Sequence, residues 1–102
     1  MLNRDLIARS QELQRQSGRI GLEFLRTDID TALTFATRAL QSPDDPETRR
    51  RNQENARRGY DSVFRIFRKL KAQSVNDAEA SDMENRLFAL RQKLLELGEI
   101  IE

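Results

Sequence analysis

Met83-Glu84-Asn85-Arg86-Leu87-Phe88-Ala89-Leu90-Arg91-Gln92-Lys93-Leu94-Leu95-Glu96-Leu97-Gly98-Glu99-Ile100-Ile101 decides the fold. Met83, Leu87, Leu90, Leu94, Leu97 and Ile101 follow one another at alternating steps of four and three. That is a heptad seam, the mark of a helix that lays one edge along another helix. A seam of this length serves either a bundle core or a short coiled coil.

Punctuation lies upstream of the seam. Asn76 with Glu79 three residues on is spaced like a capping box, with Asn in place of Ser or Thr. Further back, Ser42-Pro43-Asp44-Asp45-Pro46-Glu47 is a stop followed by a start. Pro46 suits a first helical position, where its missing N–H removes no bond, and Asp45 suits the N-cap before it. Gly18-Arg19-Ile20-Gly21 is a weaker break, since each glycine lowers helix propensity by about 1 kcal/mol relative to Ala. The chain thus divides into segments 3–17, 22–41, 46–72 and 77–100, with either a bend near Gly18–Gly21 or one long helix that presents two faces to two partners, the bend or an N-terminal arm being favoured. Short connections at 42–45 and 73–76 make consecutive helices antiparallel neighbours.

The segments carry helical periods. In 22–41, Leu22, Leu25, Ile29, Ala32, Ala36 and Ala39 form one stripe, widened by Phe24, Leu33, Phe35 and Leu40. Its alanines point to a close approach by another helix. In 46–72, Ala56, Tyr60, Val63, Phe67 and Leu70 form the stripe, flanked by Phe64 and Ile66. In the first segment, Leu2, Leu6, Leu13 and Ile20 line one side, out of register with the stripe that follows. All five phenylalanines, Phe24, Phe35, Phe64, Phe67 and Phe88, read as core.

Composition agrees. Thirteen Leu and 6 Ile stand against 2 Val, 4 Gly and 2 Pro in 102 residues. Leu suits helices, whereas Val is stiff at χ1 and turns need Gly and Pro. The expected fold is all-α: a single domain forming an antiparallel three-helix bundle, with residues 1–19 as an additional N-terminal helix or arm.

The chain has no Cys and no His. That excludes thiolate or imidazole zinc sites, disulfides and Ser-His-Asp catalysis within one chain. Gly18–Gly21 has neither the Lys nor the spacing of a phosphate loop. No Glu-x-x-His motif supplies a di-iron site. No cofactor, metal or catalytic residue is therefore expected. No apolar run approaches the ~20 residues of a membrane span, and the N-terminus lacks the apolar stretch of a signal peptide. A cytoplasmic protein away from membranes is the expectation.

Net charge is +1, but its distribution is uneven. Arg49, Arg50, Arg51, Arg57, Arg58, Arg65, Arg68, Lys69 and Lys71 face only Glu47, Glu54 and Asp61 within 46–72. Residues 73–102 are acidic in balance. Basic and acidic helices side by side explain this as rim pairing, worth ~0–1 kcal/mol per exposed pair. A phosphate- or acid-binding face is the sharper alternative, because Arg recognises planar anions bidentately.

Asp28 and Asp30 are two apart and share no helix face, so they form no carboxylate pair. Thr27 with Asp30 has capping-box spacing, and the two acids read as solvent-facing or capping. The stripe running back from Tyr60 through Ala56 reaches Asn52, with Asn55 and Arg49 near it. Polar amides there define either a polar pocket or a wet helix end whose amides bond to Thr34 and Thr37 across the bundle.

Thr27 to Leu40 resembles the second helix of a tetratricopeptide repeat through the spacing of Ala32, Phe35/Ala36 and Ala39. Gly59 to Leu70 echoes it at close to the family period of about 34 residues. The resemblance implies a protein-binding surface that includes Arg38, Arg49 and Asn52. Asn55-Ala56-Arg57 followed by Tyr60-Asp61 is similar to small uncharacterised bacterial helical proteins. The expected role is a non-enzymatic protein–protein interaction module, with a second copy of itself as one candidate partner. Arg38, Arg49, Arg50, Asn52, Asn55, Arg57 and Tyr60 form the candidate surface. The alternative is anion or nucleic-acid binding through the basic segment.

Overall fold

The computed structural model describes residues 2–72 and 76–101, with side chains from Gly21 onward within them. Three helices run through it: α1 Leu2–Leu40, α2 Pro46–Lys71 and α3 Asp77–Glu96. Among the described residues there is no strand, and the molecule is an all-α helical bundle. No described helix is long and apolar enough to cross a membrane.

The caps follow from the punctuation. Asp45 accepts from the Thr48 backbone N–H at 3.1 Å and from the Thr48 hydroxyl at 2.7 Å. Those bonds satisfy a free donor at the start of α2 and hold the Asp45 carboxyl below its ordinary range. Asn76 accepts from the backbone N–H of Ala78 at 2.8 Å and of Glu79 at 3.4 Å, starting α3. The connection at 73–75 lies outside the described residues.

Two boundaries differ from expectation. The seam suggests helix to residue 100, yet α3 ends at Glu96. Gly98 takes a φ of +93°, where a side chain is strained. Its N–H donates to the Leu95 carbonyl at 3.0 Å, and the Glu99 N–H reaches back to Leu94 at 3.0 Å. This pair of bonds is a Schellman motif, which satisfies carbonyls the helix leaves free. The other difference is at Gly18–Gly21, where no break occurs and α1 runs on as one helix. Glycine lowers propensity but keeps its N–H, so it does not force a stop as proline does. Residues 2–19 thus belong to α1. The N-terminal stripe of Leu2, Leu6, Leu13 and Ile20 concerns side chains outside the described set.

The expected stripes form the core. Leu22, Leu25, Ile29, Ala32, Ala36 and Ala39 of α1 are buried, as are Ala56, Tyr60, Val63 and Phe67 of α2. Met83, Leu87, Leu90, Leu94 and Leu97 complete it. The seam is therefore used inside the chain. Ile101, beyond the Schellman turn, packs against this core.

The alanines do mark a close approach. A methyl built on Gly59 of α2 would lie 2.6 Å from the Ala32 Cβ of α1. At the other end of the pair, one built on Gly21 would lie 3.1 Å from Leu70 Cδ1. Arg86 of α3 bonds both Asp30 of α1 and Asp82 of its own helix, and these bonds raise its pKa further. Lys71 of α2 pairs with Glu84 of α3.

Four expectations about individual side chains fail. Phe24, Phe64 and Phe88 are exposed, at 69%, 41% and 61%, and only Phe67 is fully in the core, with Phe35 half-buried. Each of the three sits one position off its stripe and on the solvent side of it. Thr27 and Asp30 make no capping box, because both lie inside α1. Thr27 instead donates to the Glu23 carbonyl at 3.3 Å.

Candidate functional site

Successive residues of α2 turn by about 100°, so its core stripe separates two flanks. Asn52, Ala56, Tyr60, Val63 and Phe67 are the stripe. Asn55, Gly59 and Ser62 fall on the flank towards α1. Arg57, Phe64 and Arg68 fall on the flank towards α3.

The seven candidate residues divide across this line. Asn55 lines a cleft with Asp28, Thr31 and Arg58, on the α1 side. Arg57 and Tyr60 line another with Asp61, Phe64, Ile100 and Ile101, on the α3 side. Asn52 is buried at the stripe itself. Arg49 is half-buried, while Arg38 and Arg50 are exposed. The structure thus brings Arg57 and Tyr60 together, and separates Asn55 from them.

The expected bonds from Thr34 and Thr37 to the amides across the bundle do not form. The Thr34 and Thr37 hydroxyls donate to carbonyls four residues back in α1, at 3.0 and 2.9 Å, not across the bundle. Among the described residues no buried side-chain nitrogen or oxygen lacks a hydrogen-bond partner. No described cluster of three or more acidic, His or Cys side chains is placed to hold a metal.

Arg57 has a structural task. Its Nε donates to Asp61 at 3.1 Å, and its Nη1 donates to the Ile100 carbonyl at 2.8 Å. Arg91 donates more weakly to the Ile101 carbonyl at 3.4 Å. Two arginines from two helices thus hold the segment after Gly98 against the bundle, and that segment brings Ile101 to the core.

A surface of aromatic and cationic side chains lies beside this clamp. Between α2 and α3 a cleft of about 310 Å³ has Tyr60, Phe67 and Leu87 at its base. Phe64 and Phe88, both exposed, stand on its two sides. Tyr60 and Phe64 stack, with ring centroids 5.8 Å apart and planes inclined by 14°. The Arg68 guanidinium lies 5.8 Å from the Phe64 centroid, a cation–π contact. Lys71 and Arg91 complete a cationic edge, offset by Glu84.

Sequence reasoning missed this cleft because flanking aromatics were assigned to a widened core. The available signal was position. Phe64 follows Val63, and Phe88 follows Leu87, so each lies about 100° from a stripe residue. Comparison with protein-family models finds no match for this chain, and neither does comparison with curated proteins or with solved structures.

Proposed function

We propose that the chain is a non-enzymatic helical module whose work is to bind another polypeptide. One observation carries this reading: large apolar side chains stand exposed on a chain with a full core. Phe64 and Phe88 are 41% and 61% exposed and line one cleft, and Phe24, Ile66 and Ile100 stand exposed elsewhere. Scattered single exposures are ordinary, but grouped aromatics beside cations are the composition of interface centres.

In this reading the helices form an antiparallel bundle. Its support is the pairing of Gly21 with Leu70, of Ala32 with Gly59, and of Lys71 with Glu84. The longest dimension is 67 Å, whereas a 26-residue helix spans ~39 Å. The N-terminal half of α1 then extends beyond the bundle as an arm. A tetratricopeptide-like pair in α1 and α2 would fit the same role.

The anion-binding alternative is less well served. Glu47, Glu54 and Asp61 recur every seven residues along α2, each four residues before an arginine. Alternating charges of this kind break up a continuous phosphate track.

The test is photo-crosslinking in cells with a benzophenone residue at position 24, 66 or 88. Polypeptide adducts at one or more of these positions are expected. Adducts to nucleic acid alone, or none at all three positions, would sink the reading.

A further inference from the structure

We infer that the α2–α3 cleft is a docking groove for an acidic amphipathic helix of a partner protein. This rests on the interaction reading above and makes it specific.

The shape fits a helix. The groove runs along α2 from Tyr60 to Lys71, a length of ~17 Å at 1.5 Å per residue. Roughly three turns of helix cover that length. A helix in such a groove inserts residues at i, i+3 or i+4, and i+7. The base formed by Tyr60, Phe67 and Leu87 is apolar, and Phe64 and Phe88 rise on either side to grip a side chain between them. Exposure of both rings on the free chain leaves the groove open.

Charge selects the partner's sign. Arg65 and Arg68 lie beside Phe64 on α2 and form no ion pair among the described residues. Lys71 is partly satisfied by Glu84, and Arg91 faces the groove from α3. The edge is thus cationic on both helices, with Arg68 over the Phe64 ring on one side and Arg91 on the other. Carboxylates on the polar flanks of an incoming helix would meet them with bidentate geometry. A second copy's N-terminal arm is a poorer occupant. Its residues 2–20 carry Arg4, Arg9, Arg15 and Arg19 against Asp5 and Glu12, a net positive charge.

The experiment uses the full chain and three synthetic helical peptides. All three share one Leu/Phe face at i, i+3, i+4 and i+7. Their polar faces carry Glu and Asp, Gln and Ser, or Lys. Affinity is read by fluorescence anisotropy, and the site by amide shifts in NMR. The acidic peptide is expected to bind saturably, at least about tenfold more tightly than the lysine peptide, with affinity falling as salt is raised. Its shifts should centre on Phe64, Leu87 and Phe88. Phe88→Ala and Phe64→Ala should each weaken it about tenfold, as loss of an interface anchor does. Both side chains are exposed, so neither change threatens the fold. Arg65→Glu with Arg68→Glu should reverse the order of the acidic and lysine peptides.

Equal affinity for all three peptides overturns the inference, as does shift mapping outside the groove. Absence of binding by the acidic peptide at millimolar concentration also overturns it. So does a single-stranded oligonucleotide, or a concentration-dependent dimer, that occupies the groove in its place. Polypeptide adducts in the crosslinking test alongside such a failure would leave the interaction reading standing and reject only the acidic helix.

Discussion

Gly59→Ala is the sharpest test of how α1 and α2 pack. In an exposed helix the change gains about 1 kcal/mol through backbone propensity. Here the new methyl would lie 2.6 Å from the Ala32 Cβ, against an optimum of ~3.5–4.0 Å for two carbons. Ala32 is 2% exposed, and its Cβ is fixed to the backbone, so no rotamer change relieves the overlap. The helices must separate by about 1 Å, and overpacking of this kind costs ~1–3 kcal/mol. The net expectation is a loss of about 1 kcal/mol. Gly21→Ala supplies the control, since it meets Leu70 Cδ1 at 3.1 Å, the end of a side chain that can rotate. Propensity then wins, and a gain of ~0.5–1 kcal/mol follows. The two substitutions should differ by about 2 kcal/mol in stability, read as a shift of the urea midpoint at unchanged slope. Adding Ala32→Gly to Gly59→Ala removes the clashing methyl, so the double-mutant cycle should show a favourable coupling of ~1–2 kcal/mol. If Gly59→Ala stabilises as much as Gly21→Ala, with no coupling to Ala32, the close approach is refuted.

Other perturbations probe the remaining elements. Gly98→Ala meets no atom within 4 Å, so its cost is conformational alone, at φ +93°, and about 1 kcal/mol of stability should be lost in denaturant titration. Leu90→Ala empties a site of 0% exposure and should lose ~2–5 kcal/mol, read as a collapse of the thermal midpoint. Arg86→Met removes the link to Asp30 and Asp82, but all three side chains are partly solvated, so the loss should stay under ~1 kcal/mol in the same titration. The Asp45 carboxyl titrates below its ordinary range because Thr48 bonds its charged form. Its contribution is present at neutral pH and is lost as pH falls through that lowered value. Asp45→Asn should therefore flatten the acid limb of stability against pH, and an unchanged limb would remove the cap from the account.

Much of the fold is legible in the sequence because periods and caps are local. The six apolar residues from Leu22 to Ala39, the five from Met83 to Leu97 and the caps at Asp45 and Asn76 all lie where chain spacing puts them. Glycine is harder to read, because one residue type serves three purposes. Gly98 ends a helix, Gly59 admits a neighbouring methyl, and Gly21 sits inside a helix that continues through it. Which purpose holds depends on what lies opposite, and that is not written locally. The same limit applies to Phe64 and Phe88. A residue one step off a stripe is buried or bare according to where the third helix comes to rest.

That resting place follows from side-chain size. α1 and α2 meet through Ala32, Ala36, Ala56 and Gly59, and small residues let helices approach closely. α2 and α3 meet through Tyr60, Phe67, Leu87 and Leu90, whose bulk fills the same angular position with far more volume. Bulky contacts of this kind set two helices further apart. The core between them stays filled, and the residues just outside it, Phe64 and Phe88, line the cleft that remains. A tight interface on one side of α2 and a wide one on the other thus leave an aromatic-walled groove on the wide side. Substitution of Tyr60 by a smaller apolar residue should draw α3 inward and narrow that groove. The Phe64 and Phe88 rings would then shield each other, and solvent exchange at their neighbouring amides would slow even as overall stability fell.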